Sequence, residues 1–375
     1  MLRLQVVGPF RGSTGYDRHT REFVRQLIRL GVQVRLIELP GWSIPLPADK
    51  QDPLFEGLTL PVEAEMVLHF TMPNHAQPVP GKKNINYTMF EADGIPADWA
   101  QRAMAHDLIV LPTESSCQAW INSGVPPERL RLCPLGIDGD FFSVRTNPLP
   151  LETPGRRPVS AYTYRFLNVA ELRPRKNHLG LIRSWIQATQ PRDDAVLIIK
   201  VTAFQAQNLE WFREDLEHMQ RQLGKSLADA APVIFIQGIL SHEDLRSLYQ
   251  TATHYISMSK GEGWDQVMME AAVSGLHLIA PHHSAYASYL GEDDAHLIPA
   301  KLVPAVFEGR LGSEDSIFFN GLSWWQPDED AAVDILHKIL RSSSPGKPSP
   351  GKRLMAEYSW ENAGKRLFSI LQQHG

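Results

Sequence analysis

Twice along this chain, short apolar runs alternate with amphipathic helical stretches, and a segment with neither period separates the two series. Leu2 to Val7 is an apolar run stopped by Gly8-Pro9, as in a strand buried within a parallel sheet. Tyr16 to Leu30 follows with Tyr16, Phe23, Leu27 and Leu30 on one helical stripe, ended by Gly31. Val32 to Ile37, Met66 to Phe70, Ile85 to Met89 and Leu108 to Leu111 read as further strands, with helices at 97–105 and 115–123. From Asp140 to Tyr164 the pattern lapses, and Pro148, Pro150, Pro154, Gly155 and Pro158 crowd the gap. Alternation then resumes, with strands at 166–169, 196–201, 233–236 and 253–258 and helices at 179–189, 209–223 and 243–251, the last behind a Ser241 cap. This order predicts an α/β chain of two Rossmann-like domains, 1–145 and 164–350, joined by a linker over 146–163. Ser342 to Lys352 is a second Pro/Gly/Ser stretch and is expected to be a crossover loop into a final segment, 351–375. There Ser359 caps a helix whose Ala363, Leu367, Ile370 and Leu371 share a face.

A length of 375 residues suits two domains that each bury a core. Hydrophobic content of 43% and charged content of 21% are those of an ordinary soluble enzyme. The net charge of -5 argues against nucleic acid as a partner. Two cysteines, Cys117 and Cys133, are too few for a disulfide framework or a zinc cluster. The start, Met1 to Pro9, is too short an apolar run for a secretory signal, and no run approaches the ~20 residues that span a bilayer. A cytoplasmic location is expected.

In open α/β sheets ligands bind beyond the carboxyl ends of the strands. One such place combines the most suggestive residues. After the apolar run 253–258 come Ser259-Lys260-Gly261-Glu262-Gly263-Trp264-Asp265-Gln266-Val267, then a helical stretch with Glu270 one turn in and Gly275 at its end. Glycines on both sides keep Glu262 in a loop. A strand, a glycine loop and a helix start bring free N–H groups and a positive dipole end to one point, which suits a phosphate. Two carboxylates with seven residues between them can flank that point and accept hydrogen bonds from hydroxyls. The alternative is a strand–helix joint with two solvated acids. Arg18, Arg21, Arg25 and Arg29 fall on one helix face, either resting on anionic lipid or an anionic acceptor at the inner face of the membrane, or simply solvated. Trp324-Trp325 is expected in a core or at a partner surface. A dinucleotide fingerprint at Gly12 and Gly15, with Glu38 as the ribose acid, is weakened by Phe10 where the first glycine belongs.

Several segments, in order, resemble the group 1 family of GT-B glycosyltransferases, the retaining nucleotide-sugar-dependent enzymes of glycan and lipopolysaccharide assembly. They are Gly8-Pro9-Phe10-Arg11-Gly12-Ser13-Thr14-Gly15-Tyr16; Pro134-Leu135-Gly136-Ile137-Asp138 with Phe141; Asn168 to Asn177; Ser241 to Tyr249; the paired acids; and Tyr358-Ser359-Trp360-Glu361. The resemblance implies two domains facing across a cleft, acceptor on the N-terminal side and donor on the C-terminal side, with the last helix returning to the first domain. It implies no cofactor and no metal. Among the catalytic residues it implies Lys176 and Arg173 at the departing diphosphate, Glu262 on the donor sugar and His69 on the acceptor. Donor binding falls to Gly12, Gly15, Arg175, Gly263, Trp264, Asp265, Gln266, Val267 and, on the ribose, Glu270. Glu91 and His75 lie on the acceptor side.

The chain also departs from the family pattern. Glu171 stands where the family has an arginine five residues before the loop lysine, and either Arg173 or Arg175 supplies the missing charge. Asp265-Gln266-Val267 replaces Gly-Leu-Pro, and His69-Phe70-Thr71 keeps only the first histidine of a His-x-His pair. Glu171 and Asp265 suggest one alternative, a nucleotide-sugar-binding protein that has lost catalysis; another is a sugar-nucleotide epimerase or phosphorylase on the same architecture.

Overall fold

In the computed structural model, which describes residues 2–43, 45–47, 51–202, 206–307, 315–342 and 346–374, the apolar runs of each series become one parallel sheet. The first sheet holds β1 (Arg3–Gly8), β2 (Gln33–Glu38), β3 (Met66–Phe70), β4 (Lys83–Tyr87), β5 (Leu108–Leu111) and β6 (Leu130–Leu132). Their order is β2-β1-β3-β4-β5-β6. Every residue of β3 and β5 is buried, as expected of central strands covered on both faces. The second sheet holds β7 (Tyr164–Glu171), β8 (Ala195–Thr202), β9 (Val233–Gln237), β10 (His254–Ile256), β11 (His277–Pro281) and β12 (Ala295–Ile298), in the order β12-β11-β10-β7-β8-β9. One side of it packs Phe166, Leu197 and Ile199 against Trp185 and Leu336 from helices. An antiparallel pair, β13 (Ala300–Pro304) and β14 (Ser323–Pro327), stands beside it.

In both sheets the strand order turns back on itself. The chain steps one way from β1 to β2 and the other way to β3, and in the second sheet it steps from β7 to β8 and β9 before crossing to β10. Loops leave such a reversal in opposite directions and open a crevice at the carboxyl ends of the two strands. The loops after β1 and β3, and those after β7 and β10, are therefore the positions the fold offers for ligands.

The chain divides into two units, residues 1–137 with 356–375, and residues 138–355. The segment 146–163, expected as a linker, belongs to the second unit. Its prolines erase any helical period, yet its backbone is held: Leu149 N–H donates to Thr251 Oγ1 (2.9 Å) and Val159 N–H to Leu151 O (2.8 Å). Residues 343–345 of the expected crossover lie outside the described residues, and its last two residues, 351 and 352, already begin the Gly351–Glu357 helix. The Trp360–His374 helix buries Ala363, Leu367, Ile370 and Leu371 on the first unit, with Asn362 N–H on Ser359 Oγ (3.1 Å). Trp360 meets the edge of Phe23 at 5.5 Å, and Gly364 lies so near Gln26 that any β-carbon there would overlap it. Among the described residues no helix is long and apolar enough to cross a membrane.

Candidate functional site

The crevice of the second sheet is built by two short loops. After β7, Arg173 is extended (φ -135°, ψ 149°), Pro174–Lys176 forms one 3-10 turn, and Asn177 takes a left-handed conformation (φ 53°) before the His178–Ala188 helix. Asn177 suits that position, since its side chain tolerates positive φ and caps the helix by accepting from Gly180 N–H at 3.3 Å. The turn is tied to the loop after β10: Arg175 O accepts from Lys260 N–H (2.8 Å) and Ser259 Oγ (3.3 Å), and the Arg175 guanidinium donates to Gly261 O.

Glu262 sits at the centre, 5% exposed. Lys176 Nζ is 2.5 Å from its Oε1, and an Arg175 guanidinium nitrogen is 3.1 Å from its Oε2. Burial alone would raise the pKa of this carboxyl, but Lys176 and then Arg175 outweigh it and hold Glu262 well below the ordinary glutamate range. Its backbone N–H donates to Ser284 Oγ at 3.2 Å. Ser284 is in turn 2.8 Å from His283 Nδ1, while His283 Nε2 is 2.8 Å from Ser259 O. A carbonyl only accepts, so Nε2 carries the proton and Nδ1 accepts from the serine hydroxyl. Burial pushes His283 down to about 4, keeping the ring neutral in that tautomer. Trp325 of β14 stacks on the same ring at 5.4 Å, its backbone N–H donating to Lys260 O (2.8 Å), and Lys260 Nζ lies 4.9 Å above the Trp324 ring. The tryptophan pair thus backs the site within its own unit.

The Gln266–Val273 helix begins beside this cluster. Glu270, 1% exposed, accepts from Tyr249 OH at 2.9 Å, and the same hydroxyl lies 3.3 Å from Val267 O. Asp265 precedes the helix with φ 64° and is 8% exposed; Tyr286 OH donates to its Oδ2 at 2.6 Å. Burial and the neighbouring Glu262 charge push Asp265 up, against Lys176. Gly263 and Trp264 are buried in the same loop, the indole 5.5 Å from Tyr289. Gln266 and Val267 are half-buried in the first helical turn.

Arg173 does not join this group. Its guanidinium goes to Glu171 Oε1 (2.7 Å) and Asp315 Oδ2 (3.0 Å), so Arg175 is the cation that accompanies Lys176. The backbone accounts for the difference: Arg173 precedes the turn in extended form and Arg175 lies inside it.

In the first unit the loop after β1 is held by one carboxylate. Asp17 accepts from Gly12 N–H (2.6 Å), Thr14 N–H (3.1 Å) and Ser43 Oγ (3.0 Å), and Thr14 caps the Gly15–Arg29 helix in return. Gly12 is needed there because Ser43 fills the space of a β-carbon, whereas Gly15 is exposed with nothing close. Arg21 donates to Phe10 O (2.8 Å) and Gly12 O (2.7 Å), and Arg25 pairs with Glu22 and Asp52, each at 2.6 Å. These two leave the arginine stripe for acceptors in their own unit, and Arg29 reaches Gln26 at 3.5 Å. Arg18 is half-buried on the same helix. Glu38 pairs with Arg11 at 3.4 Å.

His69, expected on the acceptor, is enclosed in β3 at 2% exposure, its ring edge-on to His106 and neither ring nitrogen hydrogen-bonded among the described residues. Burial, then His106, lowers it to about 4. A ring walled in on every side has no path to an acceptor. His75, beyond that strand, is exposed with Trp42 edge-on at 5.3 Å, and Glu91 is half-buried after β4.

No protein-family model matches the chain, and neither does any curated protein sequence. Solved structures do match. Anabaena HepE in complex with UDP and glucose is 11% identical with a TM-score of 0.68, covering 100% of both chains. Sucrose-phosphate synthase from Thermosynechococcus elongatus is 15% identical at a TM-score of 0.67, over 100% of this chain and 99% of that one. A glycosyltransferase from Rickettsia africae is 12% identical at 0.62, over 99% and 98%. Two six-stranded parallel sheets wound with helices, matched end to end, establish that this protein has the GT-B fold of glycosyltransferases.

Proposed function

We propose that this chain is a glycosyltransferase that moves a sugar from a nucleotide-sugar donor to an acceptor with retention of anomeric configuration, the donor held by the second unit. The observation that carries the reading is the buried Glu262 clasped by Lys176 and Arg175 where the strand order reverses between β7 and β10. Cleaving a sugar–phosphate bond builds negative charge on the leaving diphosphate, and fixed cations and N–H dipoles lower that barrier. Lys176 and Arg175 take the diphosphate in this reading, with the first turn of the Gln266–Val273 helix. As they turn to it, Glu262 is released to accept a hydroxyl of the sugar, oriented through Ser284 and His283. Glu270 holds the ribose. Two cations at the leaving group make a metal unnecessary. The acceptor, a glycan, a lipid-linked saccharide or a small molecule, falls to the first unit, with His75 and Glu91 as its contacts. Support comes from the fold, from structural neighbours holding UDP and UDP-glucose, and from the placement of this cluster.

The test is calorimetric binding of UDP-, GDP- and ADP-sugars, followed by transfer to a panel of saccharide acceptors with and without EDTA. Binding of one donor, EDTA-insensitive transfer and an unchanged anomer by NMR are expected. Failure to bind any donor refutes the reading, and tight binding without turnover over a broad panel favours a protein that has lost catalysis.

A further inference from the structure

Asp265 stands at the start of the Gln266–Val273 helix, where an aspartate ordinarily caps the first turn, yet it makes no capping bond. Its left-handed backbone (φ 64°, ψ 74°) is a conformation that glycine adopts freely and aspartate tolerates. The carboxyl is turned from its own helix onto Tyr286, which donates to Oδ2 at 2.6 Å. Oδ1 is buried and has no partner among the described residues. The helix start thus keeps N–H groups that the aspartate does not cap, beside a carboxyl oxygen in want of a partner.

The surroundings decide which partner. Lys176 and Arg175 face Asp265 from the loop after β7, Glu262 from the loop after β10, and Tyr286 from the Tyr286–Tyr289 helix. Tyr255 of β10 and Tyr249 of the His242–Thr251 helix also lie close to it. The two cations are already engaged by Glu262. An ionised Asp265 has only acceptors, with one tyrosine to fill them, and it would repel any diphosphate drawn to Lys176. A neutral carboxyl has a donor to give.

We propose that Asp265 enters the donor complex as the neutral acid and donates an Oδ1–H hydrogen bond to the diphosphate at the helix start, as a further catalytic residue that stabilises the leaving group. The proposal rests on the donor reading above. No proton need be transferred: the electron pair of the breaking sugar–oxygen bond stays on the diphosphate, and the shared hydrogen disperses its charge. Burial and the Glu262 charge both favour the proton on Asp265, and an added phosphate charge favours it further.

The experiment is UDP affinity of the full chain between about pH 5 and 8, for the wild type and for Asp265→Asn. Asparagine tolerates the left-handed backbone, keeps an acceptor for Tyr286 and keeps a donor that does not titrate. UDP loses its own last phosphate proton in this range, and the asparagine variant carries that slope alone. Relative to the variant, wild-type affinity is expected to fall by about tenfold or more as pH rises above the Asp265 range. Tyr286→Phe removes a hydrogen bond that favours the ionised form, so its fall should begin at higher pH; this arm stands if the asparagine variant does not fold. Parallel slopes for wild type and Asp265→Asn, or an unshifted Tyr286→Phe curve, overturn the proposal. So does affinity for UDP-glucose that rises with pH while that for UDP does not, which would make Asp265 an acceptor from the sugar. Absence of UDP binding at every pH overturns the donor reading itself and this proposal with it.

Discussion

At the scale of single residues, the site sets one carboxylate against two cations. Glu262 occupies Lys176 and Arg175 together, and a diphosphate would have to exchange with it for them. Two predictions follow from that exchange. Lys176→Ala should lower the transfer rate by about 10²–10³-fold while weakening UDP binding far less, because its charge acts chiefly on the departing diphosphate. Wild-type kinetics in that variant would remove Lys176 from the mechanism. Glu262→Gln should do the reverse to the ground state: with the competing carboxylate gone, calorimetry should show UDP bound several-fold more tightly, on the order of 1 kcal/mol, while transfer falls. Unchanged or weaker UDP binding would contradict the exchange. Of this cluster, Glu262, Glu270 and Lys176 were legible from glycine placement, spacing and family resemblance. The choice between Arg173 and Arg175 was not, since both follow the same strand and only the 3-10 turn separates their directions. His283, Ser284 and Tyr286 gave no signal at all: they come from beyond the next strand and reach Glu262 and Asp265 through the fold.

At the scale of elements, the long amphipathic segments agreed with the sequence, whereas only some of the short ones did. The Gly15–Arg29 and Trp360–His374 helices carry enough turns for a buried stripe to stand out. The strands β6, β11 and β12 have three to five residues, too few to show a period. The β13–β14 pair escaped notice because residues 305–322 lie between its strands, so no tight turn announces it. The contact between the two long helices is set by a missing side chain. Gly364→Ala places a β-carbon against Gln26 Cβ, a short stiff group that cannot swing aside. Overpacking of about 1–3 kcal/mol should exceed the gain of about 1 kcal/mol from alanine's better helix propensity. A lower urea midpoint at unchanged slope is expected; a raised midpoint would mean that the helices part without cost.

At the scale of the whole molecule, buried neutral histidines tie stability to pH. His19 lies among Phe23, Phe70 and Tyr87, with neither ring nitrogen hydrogen-bonded among the described residues. Burial pushes it down to about 3, and pushes His178, also near Lys176, to about 3. A folded pKa below the unfolded one means that the unfolded chain binds more protons. The stability contribution is therefore complete above the ordinary histidine range and is lost as pH falls from about 6.5 toward the folded value. Raised acids such as Glu38, at about 7 through burial, act with the opposite sign, so the clean measurement is a difference. Relative to His19→Phe, the wild type should lose about 2 kcal/mol between about pH 7.5 and pH 5, roughly 4–8 °C in Tm. Melting curves that move in parallel would show that His19 is not held neutral. What the sequence by itself determined was local: the periods of helix and strand, the glycine loop around Glu262, and hence two α/β halves. The tertiary structure alone decided the strand order, and with it which loops meet. Parallel pairing joins strands distant along the chain, so the meeting of the loops after β7 and β10, and of Lys176 with Glu262, is a property of the folded sheet that no local pattern encodes.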